Sequence, residues 1–218
     1  AILPIVNGIR FLKVPIVNLE ENNSGGMFIK ELVKNKLFWV FILIMCCAGA
    51  SEQSVSQWAS AFAEKALGIS KSVSDLAGPM LFSILMGVSR VIYGKYGEKI
   101  KLDRMMLLSS CLCVASYVIV SLSKASAVGL IGIALAGFAS GILWPGAYSK
   151  AAVSIKGGGT AMFAFLALAG DLGCAGGPTF AGKAASMMGD NLKLGILAAS
   201  VFPIVLSLVL AFMKKSEN

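Results

Sequence analysis

An aspartate deep inside an apolar run is the residue of this chain that most needs a chemical reason. Asp171 stands about eleven residues into the glycine-rich stretch 160–187, which at roughly 1.5 Å per helical residue is near the middle of an about 30 Å hydrocarbon layer. A carboxylate at that depth is costly and faces a cavity or a partner. Two readings follow: a proton- or cation-coupling group, or half of an internal salt bridge with Lys150 as counter-charge. A second polar set, Glu52, Gln53, Ser56 and Gln57 with Trp58, interrupts the outer half of the apolar run 37–62. Spacings of three and four residues bring such groups onto adjacent strips of one helix face. There they could hydrogen-bond a polyhydroxyl or zwitterionic solute, with Trp58 as an aromatic platform. The alternative is that they mark the watery end of a helix. Trp144 and Tyr148 flank Pro145 and could line a cavity where proline breaks helical hydrogen bonding, although aromatic packing is the commoner fate.

Other chemistries find no footing. Histidine is absent, which removes His-based metal sites, triads and imidazole relays. The cysteines Cys46, Cys47, Cys111, Cys113 and Cys174 all lie in apolar runs, with spacings that match neither a zinc site nor a disulfide framework; packing is their expected role. Lys156-Gly157-Gly158-Gly159-Thr160 has its lysine ahead of the glycines and no leading strand, so it reads as a connection with Thr160 capping the next helix. With no nucleophile elbow and no acidic cluster, the chain is not expected to be an enzyme or to hold a metal or cofactor.

The elements that position these residues are set by composition. The 218 residues are 57% hydrophobic and 14% charged, with mean hydropathy +0.82, more apolar surface than a soluble domain of this length can bury. The lipid bilayer is the expected solvent. Six runs are each long enough for an α-helix to span it: 37–62, 73–93, 105–123, 127–153, 160–187 and 192–213. The predicted fold is therefore all-α and polytopic, with a six-helix transmembrane domain over 37–214 and a short tail at 215–218. Residues 1–36 read as the end of a preceding spanning helix, a polar linker at 18–26, and an amphipathic helix over 27–36 along the membrane surface, with Ser24 as cap. Ser72 or Ser74 is the expected cap of the second span.

Charge decides the threading. The net charge of +8 does not point to nucleic acid, because the basic residues cluster at the ends of apolar runs and not on one soluble face. The stretch 86–104 is the densest patch, with Arg90, Lys95, Lys99, Lys101 and Arg104 in what reads as a loop. If that loop is cytoplasmic, only Lys65, Lys71, Lys124, Lys183 and Lys193 among the 19 basic residues fall on the opposite side, a clear positive-inside bias. Both ends are then cytoplasmic, in what we expect to be a bacterial plasma membrane. A faint echo, Asp75-Leu76 before Gly78-Pro79 and Asp171-Leu172 before Gly177-Pro178, suggests two inverted three-helix repeats.

Arg90-x-x-x-Gly94-Lys95-Tyr96-Gly97-Glu98-Lys99, between the second and third spans, resembles the glycine and basic loop motif of the major facilitator superfamily in its weaker second-half form. Gly141-Ile142-Leu143-Trp144-Pro145 on the fourth span, and Gly170-Asp171-Leu172-Gly173 with Gly176-Gly177-Pro178 on the fifth, resemble the tenth and eleventh helices of its sugar and organic-solute permeases. The loop lacks the Asp-Arg pair of the stronger motif. The resemblance covers nearly the whole chain and implies the carboxyl-terminal half of a twelve-helix carrier. Its partner would be an amino-terminal six-helix half, and a small solute would bind between the two, which rock to alternate access. In that family's terms Arg90, Gly94, Lys95, Gly97 and Lys99 would form the gating loop. The substrate would be a sugar-like molecule or an organic acid, driven by protons or sodium. Efflux of amphipathic compounds, or a six-helix scaffold without a transport cycle, remain as alternatives.

Overall fold

A computed structural model describes residues 2–13, 27–97 and 100–216. Among the described residues the secondary structure is entirely helical: α1 (Ile2–Leu12), α2 (Ile29–Lys34), α3 (Lys36–Ser56), α4 (Ala59–Lys65), α5 (Lys71–Tyr96), α6 (Leu102–Leu122), α7 (Ser126–Ser140), α8 (Leu143–Ser154), α9 (Gly159–Met187), α10 (Leu192–Ala199) and α11 (Val201–Ser216). Six stretches are long and apolar enough to cross a membrane. The first span joins α3 to α4, the fourth α7 to α8 and the sixth α10 to α11; α5, α6 and α9 cross as single helices.

Two of the three interruptions have a local cause in proline. Pro203 has no N–H for the Ala199 carbonyl, and α10 ends at Ala199. Pro145 likewise deprives Gly141, and α7 gives way to α8 there. The first span carries no proline at its break. Ser51 and Ser54 turn their hydroxyls back onto the carbonyls of Cys47 and Ala50 at 2.7 Å, as Ser116 and Ser121 do within the unbroken α6. The run then yields at Gln57 and Trp58.

Several boundaries move from their sequence expectation. The amphipathic helix shrinks to α2, because Asn35 is extended and its side chain accepts from Leu37 N–H at 2.9 Å, starting the first span. Glu31 accepts from Phe28 N–H at the start of α2; Ser24 and the 18–26 linker lie outside the described residues. Of the apolar face, Leu32 is buried while Phe28, Ile29 and Val33 are exposed. The second span is capped at Ser70, with no side-chain bond, and Ser74 donates to Ile69 O. That span continues to Tyr96, so Arg90, Gly94 and Lys95 are helical and do not lie in a loop. Gly158, and not Thr160, occupies the cap position of α9.

Two packed layers follow one another along the bundle. Phe38, Phe41, Ile44, Met106, Leu143 and Leu166 pack at one end, and Val55, Phe62, Phe82, Tyr117, Ile133 and Ile196 at the other. The closest crossings use glycine. A Cβ on Gly173 of α9 would run into the carbonyl oxygen of Cys46 on α3, and one on Gly137 of α7 into that of Phe82 on α5, so small residues let the backbones touch. Gly176, by contrast, has nothing within 4 Å of such a Cβ. The first span packs on the fifth and the fourth on the second. Exchanging the first three spans for the last three interchanges those two crossings. Three crossings per unit is an odd number, so the second unit enters from the opposite face, as inverted repeats require. The short Asp-Leu echo is not equivalent in depth: Asp75 sits in the first turns of α5 and accepts from Ser60, whereas Asp171 lies well inside α9.

Candidate functional site

The polar residues of the first span end α3 and continue into its break. Glu52, Gln53 and Ser56 are half-buried and Gln57 is exposed. Glu52 Oε2 is enclosed with no hydrogen-bond partner. Trp58 is not a free platform: its indole N–H donates to Pro178 O on α9 at 3.0 Å. The ring forms one wall of an open groove with Pro178, Thr179, Gly182 and Lys183. A neighbouring depression adds Gln57, Cys174 and Ala175.

Asp171 is not among the residues that line the groove or the depression, but it shares a strip of α9 with residues 175, 178 and 182, which are and which recur from it at helical spacing. The carboxylate is exposed in this bundle. Half-buried Cys174 follows it about one turn along α9. The pairing considered for Asp171 is taken by another residue: Lys150, 7% exposed, is bound to Asp103 at the head of α6.

Trp144 stands between the two regions. Its ring lies on Gly170, where a Cβ would clash with it. Its Nε1 is buried with no acceptor, and its ring centroid is 6.4 Å from that of Tyr148, itself 5.9 Å from Phe163. Aromatic packing and an unused donor thus coexist in one side chain.

Four residues of the basic motif are described, each in its own surroundings. Arg90 Nε donates to Gly141 O at 3.4 Å. Gly94 has open space around it, Gly97 is crowded by Tyr93, and Lys95 lies 5.5 Å from the Tyr96 ring centroid. Lys99 lies outside the described residues. The five cysteines are free thiols, Cys111 exposed and the others buried or half-buried. Cross-span bonds without a sequence signal include Tyr117 OH to Ser51 O at 2.6 Å, Tyr93 OH to Ser149 Oγ at 3.3 Å and Lys150 to Asp103. For the Arg90 contact, Pro145 four residues after Gly141 announces a freed carbonyl but not its donor.

Six apolar spans, glycine-mediated crossings and charged groups within the spans make this a polytopic integral membrane protein. The family model of the Major Facilitator Superfamily matches residues 1–178, and the chain belongs to that superfamily of membrane transporters. A search of curated proteins found no match to the chain.

Proposed function

We propose that this chain acts as the carboxyl-terminal half of a secondary carrier that moves a small polar organic solute, sugar-like or an organic acid, by alternating access coupled to protons or sodium. The observation that carries this reading is Asp171: a charged residue within a spanning helix, yet exposed on the surface of the six-helix bundle. A carboxylate at such a depth does not face lipid. It is covered instead by an amino-terminal six-helix half, from the same polypeptide or a partner, and the seam becomes the solute path. Glu52 Oε2 and Trp144 Nε1, both buried and without a partner, are an acceptor and a donor left unused, the combination that a hydroxyl-bearing solute would satisfy once the path opens to them. Gln53, Ser56, Gln57 and Tyr148 extend the polar wall, and both chain ends lie in the cytoplasm of a bacterial cell.

The test is uptake by the intact protein in proteoliposomes against a panel of sugars, organic acids and amines, with and without proton or sodium gradients. Gradient-driven accumulation of a sugar or an acid supports the reading. Outward movement of amphipathic amines alone would favour efflux, and binding without flux a non-transporting module.

A further inference from the structure

A helix of six residues such as α2 has no stability of its own, so its place against the bundle is set by contacts. Leu32 is wholly buried and joins the core layer of Phe38 and Met162. Met27 N–H donates to Gly157 O, between α8 and α9, at 2.6 Å, and Trp39 Nε1 donates to Val33 O at 2.8 Å. A spacing of four sorts the rest of α2 into two adjacent ridges, Ile29 with Val33 and Lys30 with Lys34, and all four side chains are exposed. The Trp39 bond sets the indole beside the apolar ridge. In the first two turns of α3 the exposed residues are Lys36, Trp39 and Leu43, which recur at helical spacing and carry that ridge down the span. Among the described residues the side chains of Lys30, Lys34 and Lys36 make no hydrogen bond or ion pair. The one carboxylate of α2, Glu31, is turned to Phe28 N–H.

We propose that the junction of α2 with the first span is a binding site for an anionic phospholipid, its headgroup phosphate on Lys30, Lys34 and Lys36 and an acyl chain along Val33, Trp39 and Leu43. Three ammonium groups at the head of an exposed apolar strip match the form and the charge of such a lipid. Trp39 stands at the boundary between the two, the level that indoles favour in a bilayer. Its only donor is spent on Val33 O, so the ring offers the acyl chain its apolar faces. A zwitterionic headgroup brings a cation of its own, which the lysines repel, so the site selects on charge. Each lysine near the surface contributes roughly fivefold to the attraction. Because Leu32 and the two hydrogen bonds already hold α2, the lipid meets a preorganised surface and does not have to fold it. The site does not rest on the carrier reading, since a scaffold of the same fold would hold the same lipid.

The experiment follows Trp39 fluorescence in the full-length protein, held in phosphatidylcholine nanodiscs. A minor fraction of the lipid is brominated on its acyl chains and is either phosphatidylglycerol or phosphatidylcholine. Subtracting the quenching that remains in Trp39→Phe isolates Trp39 from the other two tryptophans. At equal fractions the anionic lipid is expected to bind beside Trp39 at least about tenfold more tightly than the zwitterionic one. That preference should fall roughly fivefold in Lys34→Gln, vanish in Lys30→Gln/Lys34→Gln/Lys36→Gln, and persist when the three lysines are replaced by arginine. The lysines are exposed, so the glutamine variants keep the fold, which an unchanged melting curve checks. Excess glycerol phosphate in solution should not reverse the quenching. Equal quenching by the two lipids, a preference that survives the triple variant, or displacement by glycerol phosphate would overturn the site. Quenching of Trp39 by neither lipid would mean that protein covers the strip, and would overturn it as well.

Discussion

The indole N–H of Trp58 donates to the carbonyl oxygen of Pro178 at 3.0 Å, joining the break in the first span to the proline of the fifth. α9 runs uninterrupted through Pro178, so the bond ties the break of the first span to a continuous helix. Trp58→Phe keeps an aromatic ring in the groove and removes the donor, together with indole atoms that pack beside Gly182. A loss of about 1 kcal/mol is expected, read as a lower thermal midpoint of the purified protein. An unchanged midpoint would mean the bond contributes nothing.

Gly173 rests directly on the Cys46 carbonyl, so Gly173→Ala must push α3 and α9 apart. Overpacking of this kind costs about 1–3 kcal/mol. The control is Gly176→Ala, where the added methyl meets nothing within 4 Å. Detergent melting curves should show the first variant destabilised and the second indistinguishable from the parent; equal behaviour would contradict the crossing described.

Asp103 holds Lys150 where the third span meets the fourth. Asp103→Asn leaves a buried ammonium without that carboxylate. Because Asp103 is itself 36% exposed, solvent screening reduces the effect below that of a fully buried pair. We expect a loss of about 1–3 kcal/mol, measured as earlier thermal unfolding, and a smaller loss for Asp103→Glu.

Asp171→Asn removes the charge and keeps the shape. In the intact carrier the expected result is loss of gradient-driven accumulation with solute exchange retained, followed with labelled solute in proteoliposomes. Persistence of both activities would remove Asp171 from coupling, and loss of both would assign it to solute binding or to folding.

Threading predicts that a cysteine at Lys95 reacts with a membrane-impermeant maleimide only from the inside, and one at Lys124 only from the outside, both built in a background without native cysteines. Lys95 is exposed near the end of α5 and Lys124 lies between α6 and α7, so the label can reach each site. Reaction of Lys95→Cys from outside would invert the protein.

Hydropathy made the six spans readable because partition into lipid is a sum over about 20 side chains, and no single neighbour can reverse it. The basic residues at the ends of those runs gave an orientation for the same reason. Local chemistry carried a little further: Pro145 and Pro203 mark breaks, since a missing N–H is a property of the residue itself. By itself, then, the sequence determined the medium, the number of crossings and the family resemblance, all of which depend on sums or on single residues. Tertiary structure alone decided which groups meet. Lys150 turns to Asp103 and not to Asp171, Arg90 leaves its motif to bind Gly141, and Trp58 gives its donor to Pro178. Each choice is a cross-span contact set by how helices rotate and how closely glycine lets them approach, and neither quantity is local to the chain.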